Sequence, residues 1–166
     1  MISATHHLAE LNIGRLTAPT DDPRVAEFMD ALDRINGMGK RMPGFVWMMQ
    51  GSGEPGTGNT ENNIGDDPLH VTNLTVWEDV ASLEQFVWNT VHRQFYERRH
   101  EWFELKFKMD FVMWWVPKGH RPTQKEALER LEFLRENGDS DHAFGWSYLK
   151  DAKLWQQKSC QHAAAE

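Results

Sequence analysis

The sequence has a single cysteine, Cys160, which lies near the end of the chain. One cysteine can form neither an intramolecular disulfide nor a metal site built from several cysteines. The longest stretch without Asp, Glu, Lys or Arg runs from Met42 to Gly53, whereas a membrane-spanning helix needs about 20 consecutive apolar residues. The sequence therefore predicts neither a disulfide-stabilised domain nor a membrane protein.

Basic residues are also scarce, since 18 Lys and Arg stand against 25 Asp and Glu and give a formal net charge of −7. A negative chain is poorly suited to neutralising phosphates, which dominates nucleic-acid affinity, so we expect no nucleic-acid partner. The first residues do not have the basic start and apolar core of a secretory signal peptide. We therefore expect a cytoplasmic protein.

Tryptophan, by contrast, is abundant, with eight residues in a chain of 166. This length suits one domain with its own core. Tryptophan is bulky and carries an N–H group that needs a partner when it is buried. Such a density predicts either an unusually aromatic core or a ligand pocket with aromatic walls, and the count alone does not separate the two.

Hydrophobic periodicity predicts four strands and three helical regions. The strands are expected over 8–16, 45–49, 69–77 and 111–116, and the helices over 23–36, 78–102 and 123–137. We predict that the 45–49 strand is buried on both faces and that the second helical region has a break near Asn89 and Thr90. Residues 51–68, rich in Gly and Pro, predict a long hairpin loop that is either disordered or a lid.

The order β-α-β-β-α-β is typical of the ferredoxin-like α+β fold. We predict that this domain covers residues 6–122, that 123–155 form a helical C-terminal extension packed on it, and that 156–166 are a flexible tail. Both helices of the unit fall on one face of the sheet, which leaves a second apolar face to be covered. Pairing two sheets across a two-fold axis would cover it, so we predict a homodimer that forms a dimeric α/β barrel.

The chain also carries a series of distinctive short motifs. They are HLAELNI at 7–13, DRIN at 33–36, PGFVW at 43–47, VW at 76–77, HR at 92–93, EWFE at 101–104 and WWVPKGHRPT at 114–123. Over about residues 6–150 the sequence resembles a bacterial family of unknown function. That family is similar to the dimeric α/β-barrel superfamily, which includes antibiotic-biosynthesis and haem-degrading monooxygenases. The resemblance implies the fold more strongly than a reaction, because this fold serves many functions.

The candidate catalytic residues are Asn12, Asn73 and His92. Asparagine is disfavoured inside strands, so Asn12 and Asn73 are either strand-end or edge residues that bind water or amides that position a substrate by hydrogen bonds. His92 lies on the second helical region, where it is either a structural histidine or a general base whose ordinary pKa lies near neutrality.

The candidate substrate-binding residues are four tryptophans and one arginine, namely Trp77, Trp47, Trp102, Trp114 and Arg93. The tryptophans either line a pocket or belong to the core. Arg93 either holds an anionic group or joins the neighbouring glutamates in a solvated ion-pair face. His100 and Glu104 have the spacing of metal ligands on a helix, but two ligands without a third predict no metal site.

These residues support more than one function. We expect a cofactor-independent, monooxygenase-like enzyme that acts on an aromatic or polycyclic small molecule. The alternative is a non-catalytic dimeric binding or stress-response module for a hydrophobic metabolite. Haem binding comes third, because the resemblance implies a strand Asn, a strand Trp and a helix His, which Asn12, Trp77 and His92 match only with a longer gap between the last two.

Overall fold

The computed structural model describes residues 4–50, 67–104 and 111–157. In chain order, its main elements are β1 (His6–Arg15), α1 (Ala26–Gly39), β2 (Phe45–Met48), β3 (His70–Trp77), α2 (Val80–Asn89), α3 (His92–Glu97), β4 (Phe111–Pro117) and α4 (Gln124–Asn137). Short 3-10 turns occupy Pro23–Val25, Arg99–Glu101 and Trp146–Tyr148. No helix within the described ranges is both long enough and apolar enough to span a membrane.

The four strands form one antiparallel sheet in the order β2-β3-β1-β4. Strand β1 is central, and its residue Leu8 lies opposite Trp77 of β3 on one side and Trp115 of β4 on the other. This strand order, with a helix after β1 and a helix after β3, is the ferredoxin-like α+β arrangement that the sequence predicts.

Helices α1 and α2 cover one face of the sheet. At one end of this face, Ile35 of α1 and Phe86 of α2 pack with Leu8 and Trp77 in an apolar group that we call the Trp77 cluster. At the other end, Leu32 of α1 packs with Leu16, Val71 and Trp102, and we call this group the Trp102 cluster. Helix α1 therefore contacts both ends of the same face.

Helix α4 covers the opposite face. Its residues Ala127, Leu131 and Leu134 pack on Leu11 of β1 and Trp114 of β4, and all five are buried. The sequence argument for a homodimer assumed that this face needs a second sheet as its cover. Since α4 of the same chain provides a cover, that argument no longer requires a dimer, and the homodimer stays a prediction.

Strand β2 differs from its prediction. We expected a strand buried on both faces, but β2 pairs with β3 alone and Val46 is 37% exposed. The prediction is wrong because an apolar run with turn residues at both ends occurs in edge strands as well as in central ones. Its position at the edge depends on the pairing of the whole sheet.

The first helix also ends later than predicted. It begins as expected, because the Asp22 side chain accepts a hydrogen bond from Arg24 N and Pro23 opens the first turn. The expected stop at Asn36 and Gly37 lies inside α1, since Lys40 N still donates to Asn36 O at 3.0 Å. The helix ends at Gly39.

Other boundaries agree with the sequence. The second helical region breaks at Thr90, whose hydroxyl donates to Phe86 O at 2.6 Å. Helix α4 begins after its cap Thr123 and ends at Gly138, which has φ +76°. The loop prediction for 51–68 and the prediction of a flexible tail fall largely on residues outside the described ranges.

The segment after α4 passes along the outer edge of the sheet. Phe144 exchanges two backbone hydrogen bonds with Met113 of β4, at 2.8 and 2.9 Å. Leu149 and Ala152 then join the Trp77 cluster, and Trp155 N donates to Glu84 Oε1 of α2 at 3.0 Å. The chain therefore contacts both faces of its own sheet after β4.

Candidate functional site

A row of polar side chains lies in the middle of the face that α1 and α2 cover. Strand alternation places Glu10 and Asn12 of β1 and Asn73 and Thr75 of β3 on this face. Glu10 lies directly opposite Thr75, and Asn12 lies directly opposite Asn73. Side chains so paired have Cβ atoms about 4.5–5.5 Å apart. We call these four residues the polar patch.

The polar patch lies between the two apolar clusters of this face. On β1 it is flanked by Leu8 of the Trp77 cluster and Leu16 of the Trp102 cluster. On β3 it is flanked in the same way by Trp77 and Val71. A polar site enclosed by apolar side chains is the usual construction of a small-molecule pocket.

Three hydrogen bonds join members of the polar patch to one another and to Trp77. Asn12 Nδ2 donates to Glu10 Oε1 at 2.7 Å, and Thr75 Oγ1 donates to Glu10 Oε2 at 2.7 Å. Trp77 Nε1 in turn donates to Thr75 Oγ1 at 2.9 Å. We call these four residues, Asn12, Glu10, Thr75 and Trp77, the Glu10 network. Each oxygen of the Glu10 carboxyl therefore accepts one hydrogen bond from the protein.

Burial controls the acidity of Glu10, which is only 4% exposed. Loss of hydration raises the pKa of Glu10 from 4.5 to about 7, although the hydrogen bonds from Thr75 and Asn12 act in the opposite direction. Asn12 and Asn73 are only half-buried. A carboxyl with such a pKa, next to an accessible amide, can exchange a proton with a bound molecule near neutral pH.

Helix α1 also buries a polar side chain. Asn36 is the polar residue among those that α1 buries, and its Nδ2 has no hydrogen-bond partner among the described residues. A buried donor without a partner costs about 1–3 kcal/mol. The buried side of α1 therefore has unused capacity to donate a hydrogen bond.

His92 lies outside the Glu10 network. Its ring contacts Phe86, with centroids 4.9 Å apart, and its Nδ1 lies 3.4 Å from Val87 O. Phe86 also stacks on Trp77 at 5.3 Å, so its ring contacts both residues. Burial lowers the pKa of His92 from 6.5 to about 4, which keeps the imidazole neutral at physiological pH.

The other sequence candidates lie in separate places. Trp47 and Trp114 belong to the face that α4 covers, and Trp114 Nε1 donates to Glu126 at 3.0 Å. Trp102 is buried in the Trp102 cluster, with the Arg98 guanidinium 4.9 Å from its ring centroid. The structure therefore does not bring these three tryptophans together with Trp77 around one pocket.

Arg93 lies at the surface, where its Nε is 2.6 Å from Glu97 Oε1. Both residues line a groove of about 470 Å³ at the break between α2 and α3, together with Trp88, Asn89, Thr90 and Gln94. This groove does not include any member of the polar patch. Arg93 therefore belongs to an ion pair beside a different surface feature.

In the part of the chain that the structure describes, no three His, Cys, Asp or Glu side chains group as metal ligands. Glu104, considered above with His100, forms an ion pair with Arg15.

Sequence reasoning identified Asn12, Asn73 and Trp77 but missed Glu10 and Thr75. A signal was present, since Glu10 shares a strand face with Asn12. Once the element order places two helices over that face, a glutamate between apolar residues is a buried carboxyl, which is rare without a role or a partner.

Comparison with known proteins gives a family and a distant structural likeness. A solved structure, the crystal structure of PA3566 from Pseudomonas aeruginosa, is similar with a TM-score of 0.45 and 13% sequence identity, over 70% of this chain and 97% of that chain. No curated protein matches significantly. The model of the family described as "Domain of unknown function (DUF3291)" matches residues 7–160, and the chain therefore belongs to the DUF3291 family.

Proposed function

We propose that the protein is an enzyme that acts on an aromatic or polycyclic small molecule and that Glu10 accepts a proton from this substrate. The observation that carries the proposal is the buried Glu10 carboxyl, which accepts hydrogen bonds from Thr75 and from the half-buried Asn12. Apolar clusters on both sides of the polar patch fit a substrate that is mainly hydrophobic.

The chemistry follows from the properties of Glu10. A base with a pKa of about 7 is matched to proton abstraction at neutral pH. Removal of a proton from a CH₂ group that is conjugated with a carbonyl through an aromatic ring leaves an electron-rich anion, and the neighbouring amides can donate to its oxygen. Such an anion can react with dioxygen, so that CH₂ and O₂ give C=O and H₂O. The substrate supplies the electrons, and the proposal therefore requires no metal, flavin or other cofactor.

We also propose that the protein is related to the dimeric α/β-barrel superfamily. The strand order and the placement of α1 and α2 on one face support it. A barrel formed by two sheets face to face would require α4 to leave the face that it covers. Sedimentation of one species at 19.3 kDa at micromolar concentration would contradict the homodimer.

One observation favours the alternative, a binding module without catalysis. Both Glu10 oxygens already accept hydrogen bonds from the protein. A carboxyl held in this way can also serve as a fixed acceptor for a hydrophobic metabolite that carries a hydroxyl group.

The test compares two buried carboxyls, each changed to the amide. Wild type, Glu10→Gln and Glu84→Gln are incubated with anthrones in air-saturated buffer, and product and oxygen consumption are measured. We expect Glu10→Gln to lower turnover by about 10²–10⁴-fold, the usual contribution of a general base. Glu84 is the matched control, since it is equally buried but accepts its hydrogen bond from Trp155 N.

Equal turnover by wild type and Glu10→Gln would contradict the proposal. Binding by wild type without any turnover would favour the binding module. Stoichiometric haem uptake with a Soret band that is lost in His92→Ala would favour the haem alternative instead.

A further inference from the structure

Trp77 and Glu10 are connected by hydrogen bonds whose direction is fixed. The Trp77 indole can only donate, and its Nε1 lies 2.9 Å from Thr75 Oγ1. The Thr75 hydroxyl has one hydrogen, and the Glu10 carboxylate, 2.7 Å away, can only accept. With Glu10 ionised, the Trp77 N–H group and the Thr75 hydroxyl each have an acceptor.

Protonation of Glu10 at Oε2 would break this pattern. The Thr75 oxygen would then face a donor from Trp77 and a donor from Glu10, and its own hydrogen would have no acceptor within the Glu10 network. The two hydrogen bonds from Trp77 to Thr75 and from Thr75 to Glu10 therefore favour the ionised carboxyl and keep Oε2 as an acceptor. Oε1 accepts from Asn12 Nδ2, which can likewise only donate, so both hydrogen bonds favour the ionised carboxyl.

The Trp77 indole, which donates the first of these hydrogen bonds, is held rigidly. Trp77 is fully buried, stacks on Phe86 at 5.3 Å and contacts Phe45 edge to face at 5.5 Å. An indole packed on these two rings cannot turn its N–H group away from Thr75 without disturbing the Trp77 cluster. This rigidity orients the hydrogen bond before any ligand binds.

We propose that Trp77 is a positioning residue that acts on Glu10 through Thr75, by keeping the Thr75 hydroxyl turned toward Oε2 and the carboxyl in its proton-accepting state. Its significance for catalysis rests on the proposed function of Glu10. The coupling itself is a property of the free protein and does not depend on any substrate.

Other groups around Glu10 leave this assignment intact. Met113 of β4 lies opposite Glu10 on the far side of β1, and the residues that α1 buries include no titratable group. Over this face, α2 buries Glu84, whose Oε1 accepts from Trp155 N, and α3 carries His92, which is neutral. Burial raises the pKa of Glu10, the hydrogen bonds from Thr75 and Asn12 lower it, and no charged side chain among the described residues adds to these causes.

The experiment measures the ionisation of Glu10 directly. The protein is labelled with ¹³C-glutamate, the Glu10 carboxyl resonance is assigned with Glu10→Gln, and wild type, Trp77→Phe, Thr75→Val and Thr75→Ser are titrated. We expect Trp77→Phe and Thr75→Val to raise the pKa of Glu10 by roughly half a unit or more, because each removes a hydrogen bond that favours the charged form. Thr75→Ser keeps the hydroxyl and should retain the wild-type pKa.

A second measurement needs no variant at position 77, in case Trp77→Phe does not fold. In ¹⁵N-labelled wild type, the indole N–H resonance of Trp77 should move with pH at the same midpoint as the Glu10 carboxyl. Thr75→Val should abolish this movement.

An indole resonance that ignores the ionisation of Glu10 would overturn the proposal. A folded Trp77→Phe variant with an unchanged Glu10 pKa would do the same, and Trp77 would then be a packing residue. Loss of activity in Glu10→Gln tests the proposed function separately, so the two proposals can fail independently.

Discussion

Glu10 and His92 are titratable residues on the same side of the sheet whose pKa values burial moves in opposite directions. The pKa of Glu10 rises from 4.5 to about 7, so between these values the folded protein holds a proton that the unfolded chain has lost, and stability falls as pH rises. The pKa of His92 falls from 6.5 to about 4, so between these values the unfolded chain holds the extra proton, and stability rises with pH. The two effects oppose each other between about pH 4.5 and 6.5.

Each effect should appear as a pH-dependent difference in stability between wild type and the variant that lacks that residue. Relative to wild type, Glu10→Gln should gain stability as pH rises from 4.5 to 7, reaching roughly 3 kcal/mol above pH 7, because the buried charge is gone. His92→Phe should gain stability, relative to wild type, as pH falls from 6.5 to 4. The check is the free energy of unfolding by urea, measured at half-unit pH intervals. If this free energy depended on pH in the same way in wild type and Glu10→Gln, the pKa of Glu10 would not be raised by folding.

The site could be predicted only in part from single residues. Asn12 and Trp77 were recognisable because an amide and an indole inside strands need partners. Alternation alone does not identify Glu10, because an acidic residue that alternates with apolar ones usually marks a solvent-exposed strand face. Its burial depends on α1 and α2, which are distant in sequence. The position of His92 depends on the break at Thr90, and periodicity does not report the direction of the chain after a break.

Among the elements, local patterns predicted existence and type well. Alternation predicted β1 and β3, and the helix predicted over 123–137 agrees with α4 to within one residue. Two errors share a physical cause. The edge position of β2 and the continuation of α1 through Gly37 both depend on packing against other elements, which local sequence does not encode.

Two glycines test this distinction between local and tertiary control. Gly37 lies inside α1, and a Cβ there would meet no atom within 4 Å, so Gly37→Ala should stabilise the protein by about 0.5–1 kcal/mol. Gly44 has φ +80°, its carbonyl accepts from Glu78 N at 2.7 Å, and a Cβ there would overlap the Ser82 hydroxyl. Gly44→Ala should therefore destabilise by roughly 1–3 kcal/mol.

Urea unfolding of the two alanine variants provides the measurement, with each serving as the control for the other. A destabilised Gly37→Ala would mean that α1 does not continue through this position. A neutral Gly44→Ala would mean that the turn before β2 does not approach α2 so closely.

For the whole molecule, the central question is what covers the second face of the sheet. The sequence shows that this face is apolar but does not show which partner covers it, because a second subunit and α4 satisfy the same hydrophobic requirement. In the structure, Leu131 of α4 is fully buried against this face, and α4 is held at its start by the hydrogen bond from Trp114 Nε1 to Glu126. The assembly state therefore depends on how firmly α4 is bound.

Loosening α4 should expose the face and promote association. Leu131→Asp places a carboxylate in an apolar seam, which costs several kcal/mol and favours release of α4 from the sheet. The uncovered residues, including Leu11 and Trp114, then form an apolar surface that a second copy can cover. We expect the average mass by sedimentation velocity to rise above that of wild type, whereas Glu132→Lys, at an exposed position of the same helix, should leave it unchanged. The Trp77 indole resonance, on the opposite face, reports whether the rest of the fold survives. A folded Leu131→Asp variant with the wild-type mass would show that α4 does not control association through this face.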